Sequence, residues 1–550
     1  MSHQLNFIYN DSDWVAPSEY PDLREADEVA IDLETKDPEL KKLGSGWATG
    51  KGHIVGFAVA ALGKQWYFPI AHDAGGNMDL AVTTAYMVDL LKRPSTKIFH
   101  NASYDVGWLL ANGFEINGKI VDTMVAAALI DENRWSFSLN ACAKDYLGEI
   151  KNETFLKEKA KEWGIDPKQD LWKMPAGYVG FYAEQDAALT LKLWHRFKAE
   201  IQKQSINDVW DMEMELLPIL IKMRQTGIRV DEAKAALLKK EFRIKEKEVL
   251  HKIKKETTLD VDIWAARSVA QVFDRLGVEY PRTAKSNEPS FTTNWLQNCE
   301  HPIAGLVREA REMNKFHSTF IDSIQRYVHK GRIHAEINQL RSDQGGTVSG
   351  RLSYANPNLQ QIPARNKEYG NKIRSLFLPE EGRQWGSFDY SQQEPRLVAH
   401  YSASIGERLD GSEEFIQAYA DESADFHQIV ADMAGISRTQ AKTINLGLFY
   451  GMGKAKLSKE LGIDKDKAEI LLNRYNSRVP FVKKLAGAVT QSASKFGFIR
   501  TIKGRKCRFD KWEPATFGMN QAMDYNEAKA NYGNNIRRAF TYKALNRLIQ

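Results

Sequence analysis

Between residues 29 and 35 the chain reads VAIDLET, with apolar and polar positions alternating toward its end. Side chains of a strand point to opposite faces in turn, so Val29, Ile31 and Leu33 share one face and Ala30, Asp32 and Glu34 the other. The first face reads as core, and the second ends in paired negative charge. Two such carboxylates repel each other unless something neutralises them, so they are either solvated or bind metal. HIVGFAVAAL and WYFPI, separated by the turn GKQ, predict a hairpin beside this strand. AVTTAYMVDLLKR, VGWLLANG and DAALTLKLWHRFKAEI carry apolar residues at helical spacing. The first part of the chain therefore predicts an α/β fold.

Near residue 205 the pattern changes. DMEMELLPILIKMRQTG is apolar at helical spacing and stops at Gly227, and AALLKKEFRIKEKEVLHKIKKE follows as a long charged helix. Its lysine run is either a solvated face or a contact with a DNA backbone. At 550 residues the chain is too long for one core, and about 150 residues per domain gives three to four. A composition of 43% hydrophobic and 27% charged residues is ordinary for a soluble protein. The chain shows neither a membrane-length apolar run nor a signal pattern at its start, which points to the cytoplasm. Cys142, Cys299 and Cys507 lie far apart without CxxC spacing, so neither a disulfide framework nor a zinc cluster is encoded.

The net charge of +5 hides an asymmetry: residues 1 to 200 hold 21 Lys and Arg against 29 Asp and Glu, and the remainder holds 55 against 42. A large basic block behind an acidic one suggests a polyanionic partner, with nucleic acid the commonest. Within the acidic block, IFHNASYDVGWLL places Asn101 and Asp105 one helical turn apart, and GYVGFYAEQDAALTL does the same for Tyr182 and Asp186. An acidic pair on a strand, an Asp on a helix and Tyr-x-x-x-Asp on a later helix together resemble the DEDD superfamily of 3′-5′ exonucleases, in the variant with tyrosine. The resemblance implies that Asp32, Glu34, Asp105 and Asp186 hold two divalent ions and that Tyr182 helps to orient the attacking water. Hard oxygen ligands select Mg2+ or Mn2+.

Past residue 205, GSFDYSQQEPRLVAHYS places an apolar strand end (Phe388) before Asp389 and a helix through Leu397 and His400. It resembles motif A of family A DNA polymerases, which implies a metal-binding role for Asp389 and sugar selection by Glu394. Gln393 and Pro395 depart from the aliphatic residues usual in bacterial members. In SRTQAKTINLGLFYGMGK, Arg438, Lys442, Leu446 and Tyr450 are spaced four apart, a stripe drifting about 40° per step along a helix. Cations at its start can clamp a triphosphate, and an aromatic at its end can stack on a base. The string resembles the fingers helix of the same family, which usually has Phe or Tyr where Leu446 stands. TVSGRLSYANPNLQQIPAR resembles the palm segment before motif A, implying that Arg351, Asn358 and Gln360 touch the minor groove of the primer-template, where acceptors are similar for all base pairs.

These resemblances imply an α/β multidomain chain: a ribonuclease H-like exonuclease domain (1–204), thumb and start of palm (205–345), palm with motif A (346–402), fingers (403–512) and the start of a C-terminal palm segment (513–550). They imply a phage-type replicative polymerase with proofreading, acting on primer-template DNA, single-stranded 3′ ends and dNTPs, with two Mg2+ or Mn2+ ions per active site. The family's second palm aspartate, in a motif usually written HDE, is not visible; the nearest string, HDA at His72 to Ala74, lies in the exonuclease region. TYKALNRLIQ resembles the start of the long palm helix that leads to that motif, with Asn546 and Gln550 at positions that contact the nascent pair. The expectation is a right-hand polymerase domain lacking its C-terminal part, whose complement is a separately encoded fragment. Two other readings stand beside it, a DEDD exonuclease acting alone and a noncatalytic primer-template binding protein.

Overall fold

Strand β1 (Glu28–Lys36) occupies the centre of a five-stranded sheet of order β3-β2-β1-β4-β5. The hairpin of β2 (His53–Ala61) and β3 (Lys64–Pro69) lies on one side, antiparallel to β1. On the other side β4 (Thr96–Phe99) and β5 (Ile120–Asp122) run parallel to it. The structure is a computed structural model and describes residues 12–550 except 284–285, 364–365, 367, 405–408, 410–411, 419–424, 450–451 and 517–520.

Both faces of the sheet are covered, which the alternation in β1 does not reveal. Val29, Ile31 and Leu33 pack in one cluster with Trp108 and Leu109 of the helix Ala102–Ala111. Ala30, on the face of the two acids, is equally buried beneath the long helix Ala176–Lys203, through Ala183 and Ala187. The acids therefore stand at the end of a second core face, where desolvation raises the cost of their charge. The chain reverses through Gln204–Ile206 into the helix Asn207–Thr226, which the sequence pattern ends correctly at Gly227. This helix packs back onto the first part of the chain: Leu217 and Ile221 join one face's cluster, Val209 and Trp210 the other's, and Trp194 stacks on Trp210 at 5.3 Å.

The charged helix Glu232–Thr257 buries Ala235, Leu238, Phe242, Val249 and Ile253 on one stripe and leaves its lysines outside. It lies against the helix Pro302–Lys315, and Phe242 meets Phe316 at 5.4 Å. A further core joins Val398 of the helix Gln393–Ser404 to Phe426, Ile444, Tyr475 and Phe481 of the following helices and to Leu545 and Ile549 of the helix Ala544–Ile549. Cys142, Cys299 and Cys507 are all free. Among the described residues no helix is long and apolar enough to cross a membrane.

Candidate functional site

The two halves of the acidic centre meet across the sheet face. In β1, Asp32 pairs in register with Ala58, Glu34 with Gly56, and the register shifts between Glu34 and Thr35. Such a bulge bends a strand and re-aims its side chains beside a site. Gly56 is required opposite Glu34 because the Tyr67 ring lies where a Cβ would stand. From the 176–203 helix, Asp186 projects against the same face, one turn after Tyr182. Ligand oxygens of Asp32, Glu34 and Asp186 all lie within 4.8 Å of one another.

Asp105 stands next to these three but outside the group: its Oδ1 accepts the Leu33 N–H at 3.1 Å. The turn before its helix is made by Asn101 in the left-handed region, with φ 69°, a conformation that Asn tolerates better than most residues. Asp122, at the end of β5, fixes this corner by accepting the N–H groups of Asn101 at 3.0 Å, Ala102 at 2.8 Å and Met124 at 2.8 Å.

Burial, followed by the negative charge of its neighbours, dominates the electrostatics. Desolvation and Asp186 push the Glu34 carboxyl up to about 8, with Lys151 opposing. Asp32 is raised well above the usual carboxylate range by burial and then by Asp186, Asp105 and Glu34. Burial lifts Asp186 to about 6 against the pull of Lys151. Its Oδ1 is buried without a hydrogen-bond partner, while its other carboxylate oxygen is paired with the Lys151 ammonium. Three hard carboxylates competing for protons, one with an unsatisfied buried oxygen, fit a divalent cation.

A cleft of about 590 Å³ opens onto this centre. Glu34, Asn101, Tyr104, Lys151 and Tyr182 line it from one side, and Arg224, Asn338, Arg341 and Gln344 from the other. Arg224, 8% exposed, ties the halves together: it donates to the Ser45 carbonyl at 3.1 Å, pairs with Glu336 at 3.4 Å and lies 4.8 Å over the Trp47 ring. Asp343 accepts from Ser136 Oγ and the Phe137 N–H, both at 2.7 Å. Buried ion pairs of Arg508 with Glu132 and of Arg505 with Glu213 close the junction on the far side.

The polymerase-like residues are placed less completely. Residues 383–390 form no strand and pair with none among the described residues; all are exposed, Phe388 by 97% and Tyr390 by 82%. The expected strand end before Asp389 is thus irregular chain, because a strand forms only where a neighbour takes its backbone hydrogen bonds. The expected helix beyond it does form, after Gln392 turns the chain at φ 55°. Glu394 from this helix pairs with Arg351 at 2.8 Å across 43 residues of sequence. Asn358 caps a short turn by accepting the Gln360 N–H, and Gln360 donates to the Leu352 carbonyl.

In the helix Arg438–Phe449, Arg438 and Lys442 are both exposed. Arg438 forms a fork with Asp425, which also caps the helix Phe426–Ala434. The side chain of Leu446 and all of Tyr450 lie outside the described residues. Asn546 lies in the last helix with its amide nitrogen buried and unpartnered, and its carbonyl accepts the Gln550 N–H. His72 of the HDA string is buried, bonded to Tyr67 and to the Met174 carbonyl, and is part of the core. Sequence reasoning missed Lys151, which sits in a non-periodic loop, and Asp425, which reads as an ordinary helix cap.

Comparison with known proteins finds two families along the chain. Residues 232–550 match the family described as DNA polymerase family A, and residues 20–202 match the 3′-5′ exonuclease family. A DNA-directed DNA polymerase of Pseudomonas phage M6 is 35% identical, over 98% of this chain and 86% of the relative. DNA polymerase DpoZ of Acinetobacter phage SH-Ab 15497 is 29% identical over 90% of this chain and 84% of its own. Among solved structures, the POL domain of Pol1 from M. smegmatis, in complex with DNA primer-template and dNTP, superposes with a TM-score of 0.71 at 22% identity, covering 96% of this chain and 83% of that one. The chain belongs to family A of the DNA polymerases, of phage type, and joins a 3′-5′ exonuclease to a DNA-directed DNA polymerase.

Proposed function

We propose that the chain proofreads and extends DNA primers at two separate centres, and that Asp32, Glu34 and Asp186 are the metal ligands of the first. The convergence of these three carboxylates, with Glu34 lining the cleft, carries the reading. They would hold two Mg2+ or Mn2+ ions, with Asp105 adding negative charge behind them. Bound there, such ions lower the pKa of water and neutralise the charge developing on a leaving 3′-oxygen. Tyr182, on the cleft wall one turn from Asp186, would orient the attacking water. The cleft would take a single-stranded 3′ end, whose terminal phosphodiester lies over the acids.

At the second centre Asp389 is the palm ligand for the ions of nucleotide transfer. Glu394 crowds the sugar of the incoming dNTP, and Arg438 and Lys442 hold its triphosphate. Leu446 and Tyr450 complete that helix face beside the base. Arg351, Asn358, Gln360, Asn546 and Gln550 contact the primer-template. The exposed stretch around Phe388, which forms no strand among the described residues, supports a further element of this reading: a neighbouring palm strand pairs with residues 383–390 and sets a second carboxylate beside Asp389.

Labelled single strands and primer-templates, with and without dNTPs, test both centres. Asp32→Ala combined with Glu34→Ala should abolish 3′-end digestion and leave primer-template affinity within about twofold, since affinity comes mainly from phosphate contacts elsewhere. Retained digestion would overturn the first assignment. Primer extension unchanged by Asp389→Ala would overturn the second.

A further inference from the structure

Lys151 touches both Tyr182 and Asp186 of the 176–203 helix, and the proposed function gives it no role. Its side chain is only 7% exposed, and its Nζ pairs with Asp186. The same nitrogen lies 3.8 Å from the centre of the Tyr182 ring and 3.9 Å from Glu153 Oε1, while Lys157 holds Glu153 Oε2 at 2.6 Å. Its loop is fastened on both sides. The Lys151 N–H donates to Asn140 Oδ1 at 3.0 Å, and the Asn152 N–H donates to Gln185 Oε1 at 2.9 Å, one residue from Asp186. Fixing a lysine side chain costs rotamer freedom, so this placement needs a compensating partner, which the acidic centre provides.

We propose that Lys151 is a resident cation of the exonuclease centre, which a divalent ion displaces from Asp186 and which Glu153 then receives. The inference rests on the reading of Asp32, Glu34 and Asp186 as metal ligands. A divalent ion drawn to the unpartnered Oδ1 of Asp186 would stand beside the ammonium held on the other oxygen of the same carboxylate, and repulsion between the two cations couples ion entry to lysine departure. Glu153 lies on the same cleft wall and is the nearest other acid to the ammonium, which makes that exchange a short movement. Lys151 is thus a positioning residue: it holds Asp186 in place without metal and lowers the centre's affinity for metal.

Direct Mn2+ binding at pH 8, read by the electron paramagnetic resonance of free Mn2+, tests this on the full chain. Removing a unit charge opposed to a divalent ion should make Lys151→Met bind Mn2+ about tenfold more tightly. Glu153→Gln should bind about threefold more weakly, and should lose most of that effect when combined with Lys151→Met. A lysine with only a structural role predicts unchanged or weaker binding in Lys151→Met, and that result overturns the inference. Asp32→Asn with Glu34→Gln identifies which Mn2+ belongs to this centre; if it loses none, the metal reading falls together with the inference. Should Lys151→Met fail to fold, acylation of Lys151 in the native protein, followed by peptide mass spectrometry, is decisive. Saturating Mn2+ should raise its rate severalfold, and an unchanged rate overturns the exchange.

Discussion

Glu34→Gln should stabilise the metal-free protein at pH 8 while destroying its response to metal. The folded chain holds the Glu34 proton more tightly than the unfolded chain does, the carboxyl being pushed from 4.5 up to about 8 by burial and by Asp186. The stability from this site is therefore complete below pH 4.5 and is lost as the pH rises toward 8. The full difference corresponds to a ceiling of about 5 kcal/mol. Proton sharing with Asp32 and Asp186, together with solvent at the half-buried side chain, reduces the observable effect to about 2 kcal/mol. Glutamine keeps the shape, stays neutral, and escapes the penalty.

In EDTA the variant should match the wild type near pH 5 and exceed it by about 2 kcal/mol at pH 8. Because a chain of several domains does not unfold in one step, the measurement is hydrogen exchange of the β1 amides around Ile31 and Leu33 rather than a single melting curve. Saturating Mn2+ should reverse the order, since a ligand at one hundred times its Kd stabilises the wild type by about 2.7 kcal/mol. A variant that is less stable than the wild type at every pH, or equally stabilised by Mn2+, would refute the account of this centre as a metal site held under electrostatic tension.

Two further outcomes concern the other half. Glu394→Ala should admit ribonucleotides in primer extension, by the chain or a reconstituted complex, with little change in stability, because its ion pair with half-exposed Arg351 is worth at most about 1 kcal/mol; unchanged sugar discrimination would argue against its role. Arg508→Ala leaves Glu132, 5% exposed, as a buried charge without its guanidinium. That should cost about 3–5 kcal/mol, seen as faster proteolysis at the junction between the halves and largely recovered by Glu132→Gln in the same chain.

The alternation in VAIDLET placed Asp32 and Glu34 together on one face, because strand periodicity is a local property. Helical spacing likewise set Tyr182 beside Asp186, and glycine at 227 ended its helix as read. The two activities were legible through the resemblance of these motifs to known families, since each family keeps particular residue types at fixed local intervals. What local pattern could not supply was the second covering of the sheet. Ala30 reads as neutral, yet it is buried beneath a helix about 150 residues later, and that burial raises the pKa of the neighbouring acids. Nor could it supply Lys151, whose loop has no period and whose partner, Asp186, is 35 residues away. The apolar end at Phe388 reads as a strand, but a strand is completed only by a neighbour's backbone, and among the described residues none is there. Periodicity and motif are encoded residue by residue; burial, charge pairing and strand partnership arise only when distant segments meet.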